Sequence, residues 1–197
     1  MLVLPKQNEY EQAPIGVHTA TCYQVIDLGS QIKEFNGEKK VNREIRVTWE
    51  LPEALMADGK PFSISKFYTY SSHEKSNLLK DLNAWRGKPF TKEDFGTFDL
   101  TKLLGKSCNI QISHTEKGKA KVSTVMALKA GEKAPALVNK PLWLSLDKFD
   151  QTVFDSLSEF LRTTIAASPE YRELKGMKHE AYEQVEVEHY PDESIPF

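Results

Sequence analysis

Residues 41–51 read VNREIRVTWEL and carry the clearest strand pattern in the chain. The odd positions are apolar with one exception, Arg43, and the even positions are polar. A period of two is typical of a β-strand with one buried face, so this segment predicts a strand that ends at Pro52. Trp49 lies on the apolar side and is expected in the core. Arg43 either snorkels from the rim of the sheet or points into a binding groove.

Two further strands are expected on either side of this segment. Residues 16–28 are rich in β-branched and aromatic side chains, and residues 62–70 follow a loop at 53–60. The polar stretch 30–40 contains Asn36-Gly37, a dipeptide that favours a tight turn. These patterns predict three consecutive strands joined by short polar connections.

The third strand separates its aromatic residues by parity. Phe67 falls on the polar face beside Ser65 and Thr69, so it is predicted to be exposed. The inward set is Phe62, Ile64, Tyr68 and Tyr70. A β-bulge that shifts the register would bring Tyr68 and Tyr70 to the outer face instead.

A helix and a hairpin are expected next. Ser71 and Glu74 have capping-box spacing, and Gly87 followed by Pro89 predicts the helix end. One helical face is apolar, with Leu78, Leu79, Leu82 and Trp85. After an irregular stretch, strands at 106–114 and 119–128 flank the turn Glu116-Lys117-Gly118. A short strand at 142–146 precedes an amphipathic helix whose inward residues are Val153, Phe154, Leu157, Leu161 and Ile165.

The order of these elements is three strands, one helix and two strands. It predicts a mainly β fold, an OB-fold barrel of five strands with the helix between strands 3 and 4 plugging its open end. A ubiquitin-like or other α+β roll is compatible with the same order. We divide the chain into a nucleic-acid-binding domain at 1–130, a connector with an amphipathic helix packed on the barrel at 131–175, and an acidic partner-binding tail at 176–197.

Composition limits the class of protein. The chain has 197 residues, and its net charge of −2 combines −5 in residues 176–197 with +3 in the rest. Cys22 and Cys108 are far apart and are expected to be buried, reduced thiols. No apolar run approaches the ~20 residues that cross a bilayer, and the apolar start is too short for a signal peptide. We therefore expect a cytoplasmic protein that does not bind a membrane.

Sequence motifs for catalysis are missing. The five histidines form no HExxH pair, and neither paired CxxC motifs nor a phosphate-binding glycine loop is present. Asp27, Asp94 and Asp99 suit a nuclease cluster, but turn and cap roles explain each of them. We expect no enzyme activity, no cofactor and no metal.

Basic and aromatic residues follow the strands that carry the binding face of an OB-fold. Single-strand binders combine cations that contact phosphates with aromatic rings that stack on bases. The candidate single-stranded DNA-binding residues come from the 30–40 loop, strands two and three and the last hairpin: Lys33, Lys39, Lys40, Arg43, Arg46, Lys66, Phe67, Tyr68, Tyr70, Lys117, Lys119 and Lys121.

The C-terminus ends in an apolar tip on a polar tail. Acidic residues lead into Ile-Pro-Phe and a free carboxylate. A terminal Phe can enter an apolar pocket while carboxylates meet Arg or Lys around it. The candidate partner-binding residues are Asp192, Glu193, Ile195, Pro196 and Phe197.

This tip resembles the acidic tip of bacterial single-stranded DNA-binding proteins, whose terminal Pro-Phe recruits replication and repair enzymes. It has two acids in place of a longer run. The body resembles phage-encoded OB-fold proteins of the single-stranded DNA-binding type, at Cys22 to Gly29, Trp49-Glu50-Leu51-Pro52 and Glu74 to Gly87. The resemblance implies a protein that coats single strands in phage replication, recombination or repair, in the cytoplasm of the bacterial host.

Two other functions are compatible with these features. One is an OB-like adaptor that binds a host replication or repair enzyme through the tip without binding DNA. The other is a nuclease subunit. The sequence leaves the oligomeric state open between monomer and dimer.

Overall fold

The computed structural model describes residues 11–35, 38–133 and 136–177. The strands are β1 (Gly16–Phe35), β2 (Glu38–Leu55), β3 (Pro61–Thr69), β4 (Ser107–His114), β5 (Ala120–Met126) and β6 (Leu142–Leu144). The helices are α1 (Asn77–Arg86), α2 (Lys92–Gly96), α3 (Gln151–Ser156), α4 (Glu159–Ala167) and α5 (Pro169–Leu174), with a 3-10 turn at Leu100–Leu103.

Five antiparallel strands form an open sheet in the order β3-β2-β1-β4-β5. The long strand β1 joins two halves, because Gly16 to Thr21 pair with β4 and Thr21 to Phe35 pair with β2. β6 adds a short parallel pairing to β1 at Gln24 to Ile26. The chain is therefore mainly β, as the sequence predicted.

The sheet has a core on each side. The larger core lies between the concave side of the sheet and α1, and it contains Trp49, which packs on Trp85 with ring centroids 5.6 Å apart. The smaller core joins the other side of β1 to β6 and to α3, α4 and α5. Ile26 and Ile165 are fully buried there, and each such aliphatic side chain contributes about 1.5–3 kcal/mol.

Helix α1 packs against both edge strands, β3 and β5. The side chain of Ser76 accepts a hydrogen bond from the Leu79 amide and begins the helix, so the predicted capping box at Ser71 and Glu74 is wrong. Gly87 ends it with a φ of 72°, a conformation that glycine adopts without strain. The buried residues of α1 are Leu78 and Leu82, which belong to the predicted apolar face.

Three further segments differ from the sequence prediction. Strand β2 continues past Pro52, where the sequence predicted its end, to Leu55. The polar stretch 30–40 continues β1 and β2 instead of forming a loop, since Lys33 pairs with Lys40 across the hairpin. A two-stranded ribbon has water on both faces, so it needs no apolar alternation. The helix predicted around 153–165 is divided, because Ser158 adopts an extended conformation and caps α4.

The helical layer approaches β1 closely at Gly29, which follows a β-bulge. Gly29 has a φ of 71°, and a Cβ there would overlap the side chain of Ser168, the cap residue of α5. Glycine is therefore required by conformation and by space.

Both cysteines are buried and free, as expected. No helix in the described part of the chain is long and apolar enough to cross a bilayer.

Candidate nucleic-acid interface

The outer face is defined here as the side of β2 and β3 that carries Arg46, Thr48, Ser65 and Phe67. Ile26, Arg46 and Phe67 form one row across β1, β2 and β3. Ile26 is covered by the C-terminal helices, whereas Phe67 is 45% exposed. The outer face therefore opens to solvent from Arg46 towards β3, and Phe67 is exposed as predicted.

Arg46 lies over the ring of Phe67. Its guanidinium carbon is 5.9 Å from the ring centroid, and its Nη1 donates to Gln24 Oε1 at 2.8 Å. Thr48 donates to the same oxygen at 3.1 Å. Burial lowers the pKa of Arg46 from its usual value, but a guanidinium stays charged in proteins. The outer face thus places a fixed cation beside an exposed aromatic ring.

A β-bulge adds Tyr23 to the outer face. The register shifts between Cys22 and Gln24, and the Tyr23 hydroxyl reaches Ser63 of β3, at 3.3 Å. Tyr23 is half-buried, and sequence reasoning did not propose it for binding. Alternation alone cannot locate a bulge, because the extra residue changes which side chains share a face.

Lysines extend the outer face along the β1–β2 hairpin. Lys33 forms an ion pair with Glu44, which is buried, and Lys40 lies opposite Lys33. Lys39 is exposed on the other face of β2 by alternation. Of the predicted residues, the outer face therefore gathers Lys33, Lys40, Arg46 and Phe67.

Lys66 and Tyr68 face α1 instead. Lys66 Nζ and the Tyr68 hydroxyl contact the same oxygen of Asp81, at 2.6 and 2.7 Å. Burial, followed by the charge of Asp81, raises the pKa of Tyr68 well above its ordinary range. The structure does not bring these two predicted residues to the outer face, because β3 keeps the register that places Tyr68 in the core.

The lysines of the β4–β5 hairpin lie elsewhere. Lys117, Lys119 and Lys121 are exposed near the start of β1, because Gly16 pairs with Ile112. Lys33 and Lys40 lie near its other end. The two predicted groups of lysines therefore flank the sheet from opposite ends of β1.

Arg43 and Tyr70 line a separate cleft on the concave side. The cleft has a volume of about 380 Å³, and its floor includes Asp27 and Ile45. The Arg43 guanidinium lies 5.6 Å from the Tyr70 ring centroid, and Tyr70 is 50% exposed. Arg43 was expected either to snorkel from the rim of the sheet or to point into a binding groove. The structure pairs it with Asp27 on the concave side, away from the outer face.

Trp143 is a further residue of this cleft that sequence reasoning missed. It lies between Leu142 and Leu144 in β6, and it is 41% exposed while Leu144 is buried. The alternation Leu-Trp-Leu was the signal, since it places the Trp on the opposite side of the strand from the two leucines.

A buried carboxylate fixes the connector over the sheet. Glu50 is fully buried and accepts hydrogen bonds from the Val138 amide at 2.7 Å and from both the amide and the side chain of Asn139. This contact limits how far the open part of the outer face extends along β2.

Acidic residues that the structure describes take part in ion pairs and turns. Within the described residues, no three His, Cys, Asp or Glu side chains are grouped as metal ligands. Asp27 pairs with Arg43, and Asp99 accepts from the Thr101 amide. The tip residues Asp192, Glu193, Ile195, Pro196 and Phe197 lie outside the described residues.

Comparison of the chain with protein-family models, curated proteins and solved structures finds no match.

Proposed function

We propose that the protein is a non-enzymatic single-stranded DNA-binding protein that holds its ligand on the outer face. The observation that carries this proposal is the exposed Phe67 ring beside the guanidinium of Arg46. A base stacks on an aromatic ring irrespective of its identity, and a neighbouring cation attracts the phosphate chain.

We also propose that the sheet is an OB-fold, and the strand order supports this assignment. An OB-fold has a partly open five-stranded barrel and binds oligonucleotides at strands 2 and 3. Here α1 lies in sequence between β3 and β4 and packs against both edge strands. A helix in that position fills the opening between β3 and β5.

The outer face suits binding without a sequence code. Its cations are Lys33, Lys40 and Arg46, and Lys33 is paired with the Glu44 carboxylate. Its other polar groups are mainly hydroxyls and the Gln24 amide. Cations contact phosphates of any sequence, and their affinity falls with salt by ~0.7 log unit per log unit for each phosphate on a single strand. Three contacts correspond to a slope of about −2.

The C-terminal tip completes the proposed function. Asp192, Glu193 and the terminal Ile-Pro-Phe would dock on partner enzymes of replication, recombination or repair while the body covers DNA. If the chain is phage-encoded, that work takes place in the cytoplasm of the host.

The test is an anisotropy titration of the full chain with a labelled oligo-dT and with a duplex of equal length, at several salt concentrations. We expect tighter binding to the single strand and a salt slope near −2. Salt-independent binding, or equal affinity for duplex, contradicts the proposal. If the chain binds no DNA but captures a replication enzyme through its tip, it is the adaptor. If it cleaves the strand when magnesium is added, it is the nuclease subunit.

A further inference from the structure

We infer that the cleft at Arg43 binds a single nucleobase, presented by a mononucleotide or by one residue of a strand. The floor of the cleft is formed by Val25 and Asp27 of β1 and by Arg43 and Ile45 of β2. Phe98 to Thr101 close it from the α1–β4 connection. Its volume of about 380 Å³ is within the range of small-molecule sites. This cleft is distinct from the outer face. Whether it binds a nucleobase can therefore be tested separately from DNA binding at the outer face.

Two exposed aromatic rings stand at opposite sides of the floor. Trp143 extends from β6, which pairs with β1 at Val25, and Tyr70 follows β3 on the far side of β2. Three strand spacings of about 4.8 Å separate β3 from β6 along the sheet. That span admits a base stacked on one ring together with its sugar. Trp is highly buried on average, and the exposed ring of Trp143 offers a flat apolar face for stacking.

The polar edge of the cleft is preorganised. Arg43 donates through Nε and Nη2 to the two oxygens of Asp27, at 3.2 and 2.5 Å, and Nη2 also donates to Asp147 at 3.0 Å. Asp27 is held in turn by the amides of Gly29 and Leu146. These contacts hold the guanidinium in one orientation. Among the described residues, Arg43 Nη1 has no hydrogen-bond partner.

This edge has the chemistry of a base-pairing partner. Arg43 Nη1 offers a donor, and Asp147, whose side chain is largely exposed, offers a carboxylate oxygen next to it. A nucleobase presents an acceptor beside an N–H donor on one edge, and Arg and Asp are side chains that read such edges. Lys148 also lines the cleft and is exposed, so it is available to the phosphate. The cleft is lined by two cations, Arg43 and Lys148, and by three carboxylates. Two of these carboxylates, Asp27 and Asp147, are paired with Arg43.

The experiment titrates the full chain with AMP, GMP, CMP and UMP, and with ribose 5-phosphate as the baseless control. Of the three tryptophans, Trp143 is exposed, Trp85 is half-buried against the larger core and Trp49 is fully buried. Base stacking on Trp143 is therefore expected to quench part of the tryptophan emission, while ribose 5-phosphate leaves it unchanged. Dissociation constants are measured in parallel by equilibrium dialysis. Trp143→Ala is expected to weaken nucleotide binding roughly tenfold or more, the effect of losing a stacking ring.

Matched variants make the outcome decisive. Phe160→Ala removes an aromatic ring that is 65% exposed on α4 and is expected to bind nucleotides normally. Phe67→Ala is expected to lose strand affinity and to keep mononucleotide binding. Three outcomes would overturn the inference: ribose 5-phosphate binds as tightly as the nucleotides, Trp143→Ala binds nucleotides as the native chain does, or no nucleotide binds at millimolar concentration. None of them bears on DNA binding at the outer face. Displacement of bound nucleotide by an oligomer assigns the cleft to a strand residue, and simultaneous binding assigns it to a free nucleotide.

Discussion

Asp27 and Arg43 face each other from adjacent strands and share two hydrogen bonds, Nε to Oδ1 at 3.2 Å and Nη2 to Oδ2 at 2.5 Å. The Asp27 carboxylate is the centre of a network, because it also accepts from the amides of Gly29 and Leu146. It therefore joins the bulge of β1, strand β2 and the segment after β6. The hydrogen bonds to Asp27 raise the pKa of Arg43 above its ordinary value, so the guanidinium stays charged.

Replacing Asp27 is expected to destabilise the fold. Asp27→Asn removes the charge from a largely buried pair and leaves the Arg43 cation without its nearest counterion. Breaking such a pair costs about 2–4 kcal/mol, allowing for the partial exposure of Arg43. Asp147→Asn is the matched control, because Asp147 is mostly exposed and makes one ion pair with the same Arg, worth less than about 1 kcal/mol. Urea unfolding followed by circular dichroism measures both, and equal losses would show that Asp27 is not the centre of the network.

Phe67→Ala is expected to weaken binding of a single-stranded oligomer by about 1–3 kcal/mol while the melting temperature stays nearly unchanged. The ring stacks on a base in the proposed complex, yet its exposure means that little packing is lost. Phe160→Ala, on the exposed side of α4, is the control and should leave binding unchanged. A large drop in melting temperature with intact DNA affinity would assign Phe67 a structural role.

The strand pattern of residues 41–51 was sufficient to predict β2, the burial of Trp49 and, with residues 62–70, the exposure of Phe67. Each of these depends on alternation within one strand. The partners of Arg43 and Lys66 depend instead on register between strands and on the placement of α1, which no local pattern contains. Tyr23 shows the same limit, because a bulge of one residue moved it to the outer face.

Glu50→Gln is expected to loosen the connector at Val138 and Asn139. Gln has the same size as Glu, but one of its two terminal groups is an NH₂ donor. In the variant this donor would face the N–H groups of Val138 and Asn139, which are also donors. A buried donor left without an acceptor costs about 1–3 kcal/mol. Hydrogen exchange should become faster at those two amides, and the urea midpoint should fall. Glu53→Gln, an exposed change on the same strand, should alter neither, and unchanged exchange in Glu50→Gln would refute the anchoring role.

Thiol chemistry reports on the larger core. Burial raises the pKa of Cys22 from 9.0 to about 12, so the folded protein favours the neutral thiol. The unfolded chain ionises near pH 9, so this contribution to stability is present in full below pH 9 and is lost as pH rises towards 12. A thiol reagent at pH 8 should label Cys22 and Cys108 only after urea is added, and the melting temperature should fall above pH 9. Rapid labelling of both thiols in the folded protein would contradict this.

The acidic tail is expected to oppose DNA binding through its charge. Residues 176–197 hold one Lys and six acidic residues, a net −5, whereas the rest of the chain has a net +3. Converting all six acids to their amides therefore changes the whole protein from −2 to +4, which strengthens attraction to phosphates. The Debye length shortens from about 10 Å at 0.1 M salt to about 3 Å at 1 M, so the gain should be largest at low salt and vanish at high salt. Phe197→Ala leaves the tail charge unchanged and serves as the control: it should bind DNA normally and fail to dock on partner enzymes. Identical DNA affinity for the neutralised and native tails at every salt concentration would show that the tail charge does not reach the bound strand.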